Sequence, residues 1–226
     1  MTVLVLQARL DSARLPEKCL LPLGDRPLIF RAMEALATVD CDVKALACPD
    51  DCVEAFAKLA KEAGFEIVPG PKDDVLERYC NAIRRFRADR VIRATGDNPF
   101  VFSDAAEALN AEAISLGTDY AGYQGLPYGA GVESINAESL LKAEREAQSS
   151  FERENVCPYL YANPLVFRLH RPFTQAKWQG FEMRVTVDTE EDYKRASILY
   201  DALKDFSPRE RSSGEAVIRA YRSAGL

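Results

Sequence analysis

The segment Gln7–Lys18, QARLDSARLPEK, places Arg9, Arg14 and Lys18 in one glycine-free stretch of a chain whose formal net charge is −6. Cations gathered locally in an acidic chain suit an anionic ligand, and the planar fork of arginine can hold two oxygens of one phosphate. Neither familiar phosphate loop is present, because G-x-x-x-x-G-K-[ST] and G-x-G-x-x-G both rely on glycines whose backbone N–H groups cradle the phosphates. Side-chain cations must supply that charge here. A solvated basic loop offset by Asp11 and Glu17 is the competing reading.

Two carboxylates extend the pattern. Asp97 lies in TGDNP, after the apolar run of DRVIRA, and Asp188 lies in RVTVDTEED, at the end of a predicted strand and just before a helix. Thr189 and Asp192 form a capping-box-like pair at that helix start, whose dipole favours an ionised Asp188. Each aspartate has a plain local account, turn chemistry for the first and a helix start for the second. Strand-end carboxylates beside a cationic loop nevertheless suit Mg2+, which keeps several waters and bridges a few carboxylates to phosphates. The chemistry implied is attack at phosphorus, where cations and metal take up charge and the protein need not supply a nucleophile. The single histidine, His170 in RLHRPF, reads as structural, so neither a Ser-His-Asp triad nor a multi-histidine metal centre is expected.

The elements that must position these residues follow from apolar periodicity. Val3–Leu6 is a continuous apolar run of the kind a doubly covered parallel strand shows. GDRPLIFRAMEALA predicts a helix with Pro27 in its first turn, and DVKALAC a second strand. DDCVEAFAKLAKEAG predicts a helix capped by Asp50 or Asp51 and stopped at Gly64; FEIV is a third strand. DDVLERYCNAIRRF carries Val75, Leu76, Tyr79, Cys80, Ile83 and Phe86 on one helical face, and DRVIRA is the fourth strand. Alternating strands and helices predict a right-handed, mostly parallel α/β sheet through about residue 115. From Asp119 the order loosens: YAGYQGLPYGAG is rich in glycine and aromatics, VESI suits a strand, and helical stretches follow at 138–148 and 151–161. FEMRVTV predicts a strand leading into the Thr189 helix, and a last helix is capped by Ser212 or Ser213. One domain spans 1–226, with an acceptor-side lobe at about 119–183.

Composition bounds the function. With 226 residues, 47% hydrophobic and 28% charged, the chain can bury a full core. A pI near 5.1 argues against a general nucleic-acid or membrane-surface binder. The six cysteines contain no C-x-x-C pair, which fits a reducing cytoplasm, and the opening TVLVLQA is too short for a signal sequence or a membrane span, so a soluble, unexported protein is expected.

QARLDSARLPEKCLLPLGDRPLI resembles the opening signature of the cytidylyltransferases that act on acylneuraminate and keto-deoxy-octulosonate, most closely their spore-coat polysaccharide biosynthesis protein F branch. The resemblance continues in order through DDVLERY, IRATGDNPFV, LPYGAGVESI, FERENVCPYLYANPLVF and RVTVDTEEDY, nearly the whole chain. It implies a glycosyltransferase-A-like, Rossmann-like three-layer fold, CTP as donor, Mg2+ as cofactor, and transfer of CMP to a small anionic acceptor with release of pyrophosphate. By position, it implies Arg9, Ser12, Arg14 and Lys18 at the CTP phosphates, Ala8 near the base, and Asp97 and Asp188 at the metal. It further implies Arg78 facing the nucleotide or acceptor, and Asn98, Tyr128, Glu133, Glu152 and Arg153 on the acceptor side. A homodimer is allowed but not required.

There are departures. Glu17 stands where the family usually carries glycine, and Asn98 where related chains often carry cysteine or glutamate. Two other readings remain beside the transferase. A nucleotide-sugar-using glycosyltransferase usually shows an Asp-x-Asp motif that is missing here, and a non-catalytic nucleotide or sugar binder would accommodate both departures.

Overall fold

The computed structural model covers Met1–Leu226. Its first half is β1 (Thr2–Gln7), a small hairpin of β2 (Pro22–Leu23) and β3 (Arg26–Pro27), α1 (Leu28–Ala37), β4 (Val43–Pro49), α2 (Val53–Ala63), β5 (Glu66–Gly70), α3 (Val75–Phe86), β6 (Arg90–Thr95) and α4 (Ser103–Leu116). The second half is β7 (Tyr120–Gly122), β8 (Glu133–Asn136), α5 (Ala137–Glu146), α6 (Ser150–Asn155), α7 (Pro158–Ala162), β9 (Leu169–His170), α8 (Glu190–Leu203), α9 (Pro208–Arg211) and α10 (Gly214–Ser223).

Seven strands form one sheet in the order β5-β4-β1-β6-β8-β7-β9. Only β8 runs against its neighbours, so the sheet is mixed and mostly parallel. Val3–Leu6 are fully buried because alternate residues serve opposite layers. Val3 and Val5 pack with α3 and α5, while Leu4 and Leu6 pack with α1, α2 and α4. The result is the expected three-layer α/β sandwich. A third apolar cluster joins Phe102, Trp178 and Val187 to Leu199 and Tyr200 of α8 and Val217 of α10, and thereby fixes the chain on either side of Asp188. No helix is long and apolar enough to cross a membrane.

Four local expectations are corrected. FEMRVTV joins no ladder: Phe181 and Glu182 lie in a turn, and the rest is held by a lone bridge between Tyr128 and Arg184 and by the Val187 N–H donating to Asp97 O at 2.9 Å. The stretch 151–161 is two short helices, broken where Val156 turns to φ 73°. Helix α2 starts behind a 3-10 turn, Asp50–Cys52, and its N-cap is Cys52 rather than either aspartate. The last helix has Ser213 at its N-cap position, as expected, but the serine side chain makes no cap bond; the Gly214 N–H donates to Asp104 of α4 at 3.0 Å.

Candidate active site

A cleft of about 760 Å3 runs across the carboxyl ends of the strands, with the ends of β1 and β6 at its centre. Ligands of open α/β sheets bind in this place because the topology leaves a crevice there. The two strand ends touch: the Gly96 N–H donates to Gln7 O at 2.8 Å. A Cβ at residue 96 would lie 2.6 Å from Ile29 Cδ1 and 3.0 Å from Ala8 Cβ, so any larger residue would force the buried Ile29 side chain to shift.

The cationic loop returns toward this centre through Glu17, which takes the left-handed conformation (φ 50°, ψ 27°) and starts a 3-10 turn, Lys18–Leu20. Glycine adopts that conformation without strain, which accounts physically for the family's preference there. The Glu17 side chain is exposed, and it makes no ion pair with Lys18.

Lys18 Nζ donates to Asp97 Oδ2 and to Asp188 Oδ1, each at 2.9 Å. The two carboxylate oxygens therefore lie within twice that distance of one another. Arg14 adds a contact to Asp188 Oδ1 at 2.9 Å, and Arg184 reaches Asp188 Oδ2 at 2.7 Å. Burial opposes the charged forms of both Lys18 and Asp188. Their pairing outweighs it, raising the Lys18 ammonium above its ordinary range and holding the Asp188 carboxyl below its own. The capping box at Thr189 and Asp192 is formed, with Arg184 and Arg195 on Asp192.

Ala8 and Ser12 line the cleft, Ala8 buried directly after β1. Arg9 is on the rim, paired with Glu154 of α6 at 3.1 Å. Arg78 is only 1% exposed. Its Nη1 donates to the carbonyls of Pro71 and Lys72, its buried Nε has no partner, and no carboxylate pairs with it. Burial accordingly lowers its pKa.

Asn98, Tyr128 and Glu133 also line the cleft. Asn98 Nδ2 donates to Thr95 Oγ1 at 2.7 Å, and its buried Oδ1 has no partner. Tyr128 stacks beneath the Arg184 guanidinium, 4.8 Å from the ring centroid. Glu133 accepts from Tyr120 Oη at 2.7 Å and Cys157 Sγ at 3.3 Å, and forms an ion pair with Arg93. The structure does not bring Glu152 and Arg153 into the cleft. The Glu152 carboxylate closes the capping box of α6 with Ser149, and Arg153 ties that helix to Asp74, the N-cap of α3.

Sequence reasoning passed over Arg93, Tyr120, Glu154, Arg171 and Arg184. Arg93 carried a signal, a lone arginine inside the apolar strand VIRA; the others became visible only once the chain was folded. His170 contacts Glu112 at 3.1 Å and does not line the cleft. Burial pushes the Cys19 thiol up to about 12, so that cleft-lining sulfur stays protonated and unreactive.

No group of three or more His, Cys, Asp or Glu side chains forms a preformed metal cage. Two neighbouring aspartates fit a hard cation that completes its shell with water and phosphate oxygens, as Mg2+ does.

The family model for cytidylyltransferases matches residues 3–213. The chain belongs to the cytidylyltransferase family. It is 31% identical over 206 residues to the spore coat polysaccharide biosynthesis protein SpsF of Bacillus subtilis, covering 87% of this chain and 85% of that one. Among solved structures, a cytidylyltransferase from Leptospira borgpetersenii superposes with a TM-score of 0.90 at 22% identity, over 99% of this chain and 94% of that one. CMP:2-keto-3-deoxy-manno-octonic acid synthetase complexed with CTP superposes with a TM-score of 0.70 at 17% identity, over 88% and 98%. At those identities the two structures show a shared fold, here the Rossmann-like sandwich of nucleotidyltransferases.

Proposed function

We propose that this cytidylyltransferase-family chain transfers CMP from CTP to a small acceptor bearing a carboxylate or phosphate, releasing pyrophosphate, in the assembly of a surface polysaccharide or glycoconjugate. The observation that carries the reading is the convergence of Asp97 and Asp188 on Lys18 at the ends of β1 and β6. A cytidylyltransferase-family match and a CTP-bound fold relative support the nucleotide, and a spore-coat polysaccharide relative supports the product's use.

Asp97 and Asp188 would hold Mg2+, which when bound neutralises charge on the phosphates. Lys18 and Arg14, released from those aspartates, turn to the triphosphate oxygens, and Arg9 leaves Glu154 to join them. Arg78 supplies a buried positive charge without a carboxylate partner on the β5-β4-β1 side, which this reading assigns to the nucleotide. An acceptor oxygen attacks the α-phosphorus: its bond to phosphorus forms as the bond to the bridging oxygen of pyrophosphate breaks, and the acceptor's proton, where it carries one, passes to solvent. The chain's cations gain most from the charge that collects on the departing bridge oxygen. The region 119–183 forms the acceptor-side lobe of one catalytic domain.

Pyrophosphate release tests the reading, with each of the four ribonucleoside triphosphates, with and without Mg2+, against 2-keto sugar acids and sugar or polyol phosphates. CTP with Mg2+ and an anionic acceptor is expected to give release above every other combination. Silence across the whole panel would sink the transferase reading and leave a nucleotide or sugar binder.

A further inference from the structure

Six cationic side chains line the cleft, and Arg9, Arg14, Lys18 and Arg93 all stand against carboxylates. Arg78 and Arg171 do not. The sheet order sets these two on opposite sides of the reaction centre: Arg78 beside β5 and β4, Arg171 directly after β9 at the far edge. Arg78 belongs to the nucleotide half described above. Arg171 has no role in that account.

The setting of Arg171 keeps its charge available. Its guanidinium carbon lies 5.7 Å from the Tyr161 ring centroid, and that ring packs edge-on against Tyr120 at 5.8 Å. An aromatic face holds a cation in place without cancelling its charge, as a carboxylate would. The backbone beneath it is anchored, since Gln124 Nε2 donates to Arg171 O and the Gln124 N–H donates to Pro172 O at 2.9 Å. Its neighbour Arg168 is used differently, donating to Leu116 O at 3.1 Å at the end of a helix.

Two acidic groups of this half line the cleft: Glu133 is engaged by Arg93, Tyr120 and Cys157, and Glu154 by Arg9. With Glu133 compensated by Arg93, Arg171 is the cleft-lining guanidinium of this half that pairs with no carboxylate. We infer that Arg171 determines acceptor specificity by taking the acceptor's anionic group, a carboxylate or a phosphate, while another acceptor oxygen is left to attack CTP. The inference rests on the proposed transfer for the identity of the second substrate.

The test compares wild type with Arg171→Gln and Arg171→Lys on two matched acceptor pairs, a 2-keto sugar acid with its methyl ester and a hexose 1-phosphate with the free hexose. Arg171→Gln is expected to raise the KM of the anionic member about tenfold to a hundredfold, the loss of one charge-assisted contact. The kcat stays within about threefold, the neutral member is unaffected, and Arg171→Lys recovers part of the loss. The pair that responds identifies the anion as carboxylate or phosphate.

Calorimetric titration of the same acceptors and of Mg2+ with CTP provides a readout free of turnover. If no acceptor releases pyrophosphate while an acid or phosphate binds wild type and not Arg171→Gln, the transfer reading fails and the anion subsite stands. Equal affinity of wild type and Arg171→Gln for the anionic acceptors overturns the subsite. So does a wild type that binds none of them, or an Arg171→Gln variant that loses CTP affinity as strongly as acceptor affinity.

Discussion

The centre of the cleft and its two ends hold positive charge in opposite ways. At the centre, Lys18 and Arg14 stand on Asp97 and Asp188, so cations and anions answer one another and the loop is locked to the end of β6 and the start of α8. At the ends, Arg78 and Arg171 stand against carbonyls and an aromatic ring, and neither pairs with a carboxylate. The difference teaches how a loop without a glycine cradle can serve phosphates. In the proposed function the central pairs would hold the site together before ligand arrives and would exchange partners when a metal nucleotide brings both charges at once. The outer guanidinia are unneutralised beforehand, and Arg78 bears a desolvation cost that an incoming anion relieves.

The comparison breaks most readily at its centre. Asp97→Asn removes a proposed metal carboxylate and should lower metal-dependent turnover by about a thousandfold, several kcal/mol of transition-state stabilisation, with the fold retained; circular dichroism beside a pyrophosphate assay checks both halves. A variant that unfolds would make Asp97 structural instead. Lys18→Ala comes next, lowering kcat by about a hundredfold or more and CTP affinity by less, since charge on the bridging oxygen grows in the transition state. It also leaves two aspartates facing one another, and the melting temperature should fall as breaking a buried pair by one partner costs about 3 kcal/mol. An unchanged kcat with a raised KM would remove Lys18 from the chemistry.

At the nucleotide end, Arg78→Gln should weaken CTP binding about tenfold to a hundredfold, the size of one hydrogen bond to a charged group. Calorimetry reads it, and unaltered affinity with a lowered melting temperature would make Arg78 a loop strut tied to Pro71 and Lys72. The smallest effect is at Glu17. Glu17→Gly relieves a left-handed residue and should raise stability by under ~1 kcal/mol after the greater chain entropy of glycine is counted, with turnover within about twofold. A large gain in activity would instead mean that the Glu17 carboxylate repels the triphosphate.

The first half of the fold was legible because its signals are local. Val3–Leu6, the Gly64 stop and the apolar face of α3 each specify an element through periodicity or backbone freedom. Asp188 was placed correctly at the start of α8, yet the segment before it is no ladder strand. It is pinned by Tyr128 and Asp97, partners far away in sequence that no pattern around FEMRVTV could announce. The same cause hid Arg171 and Tyr120, which meet the cleft only because β9 adds beside β7. Glu152 and Arg153 show the converse: their sequence context is distinctive for the capping box and helix tie they form, and that is a structural role outside the cleft. Glu17, anomalous as a charge beside Lys18, became intelligible as a backbone angle.

The most direct measurement of the central claim is calorimetric titration of CTP into wild type and into an Asp97→Asn, Asp188→Asn double variant, each with Mg2+ and again with chelator. The account predicts binding at least tenfold tighter with Mg2+ in wild type, and no such metal dependence in the double variant. Wild-type affinity that is the same with Mg2+ and with chelator, or a double variant that keeps the full metal effect, would contradict it.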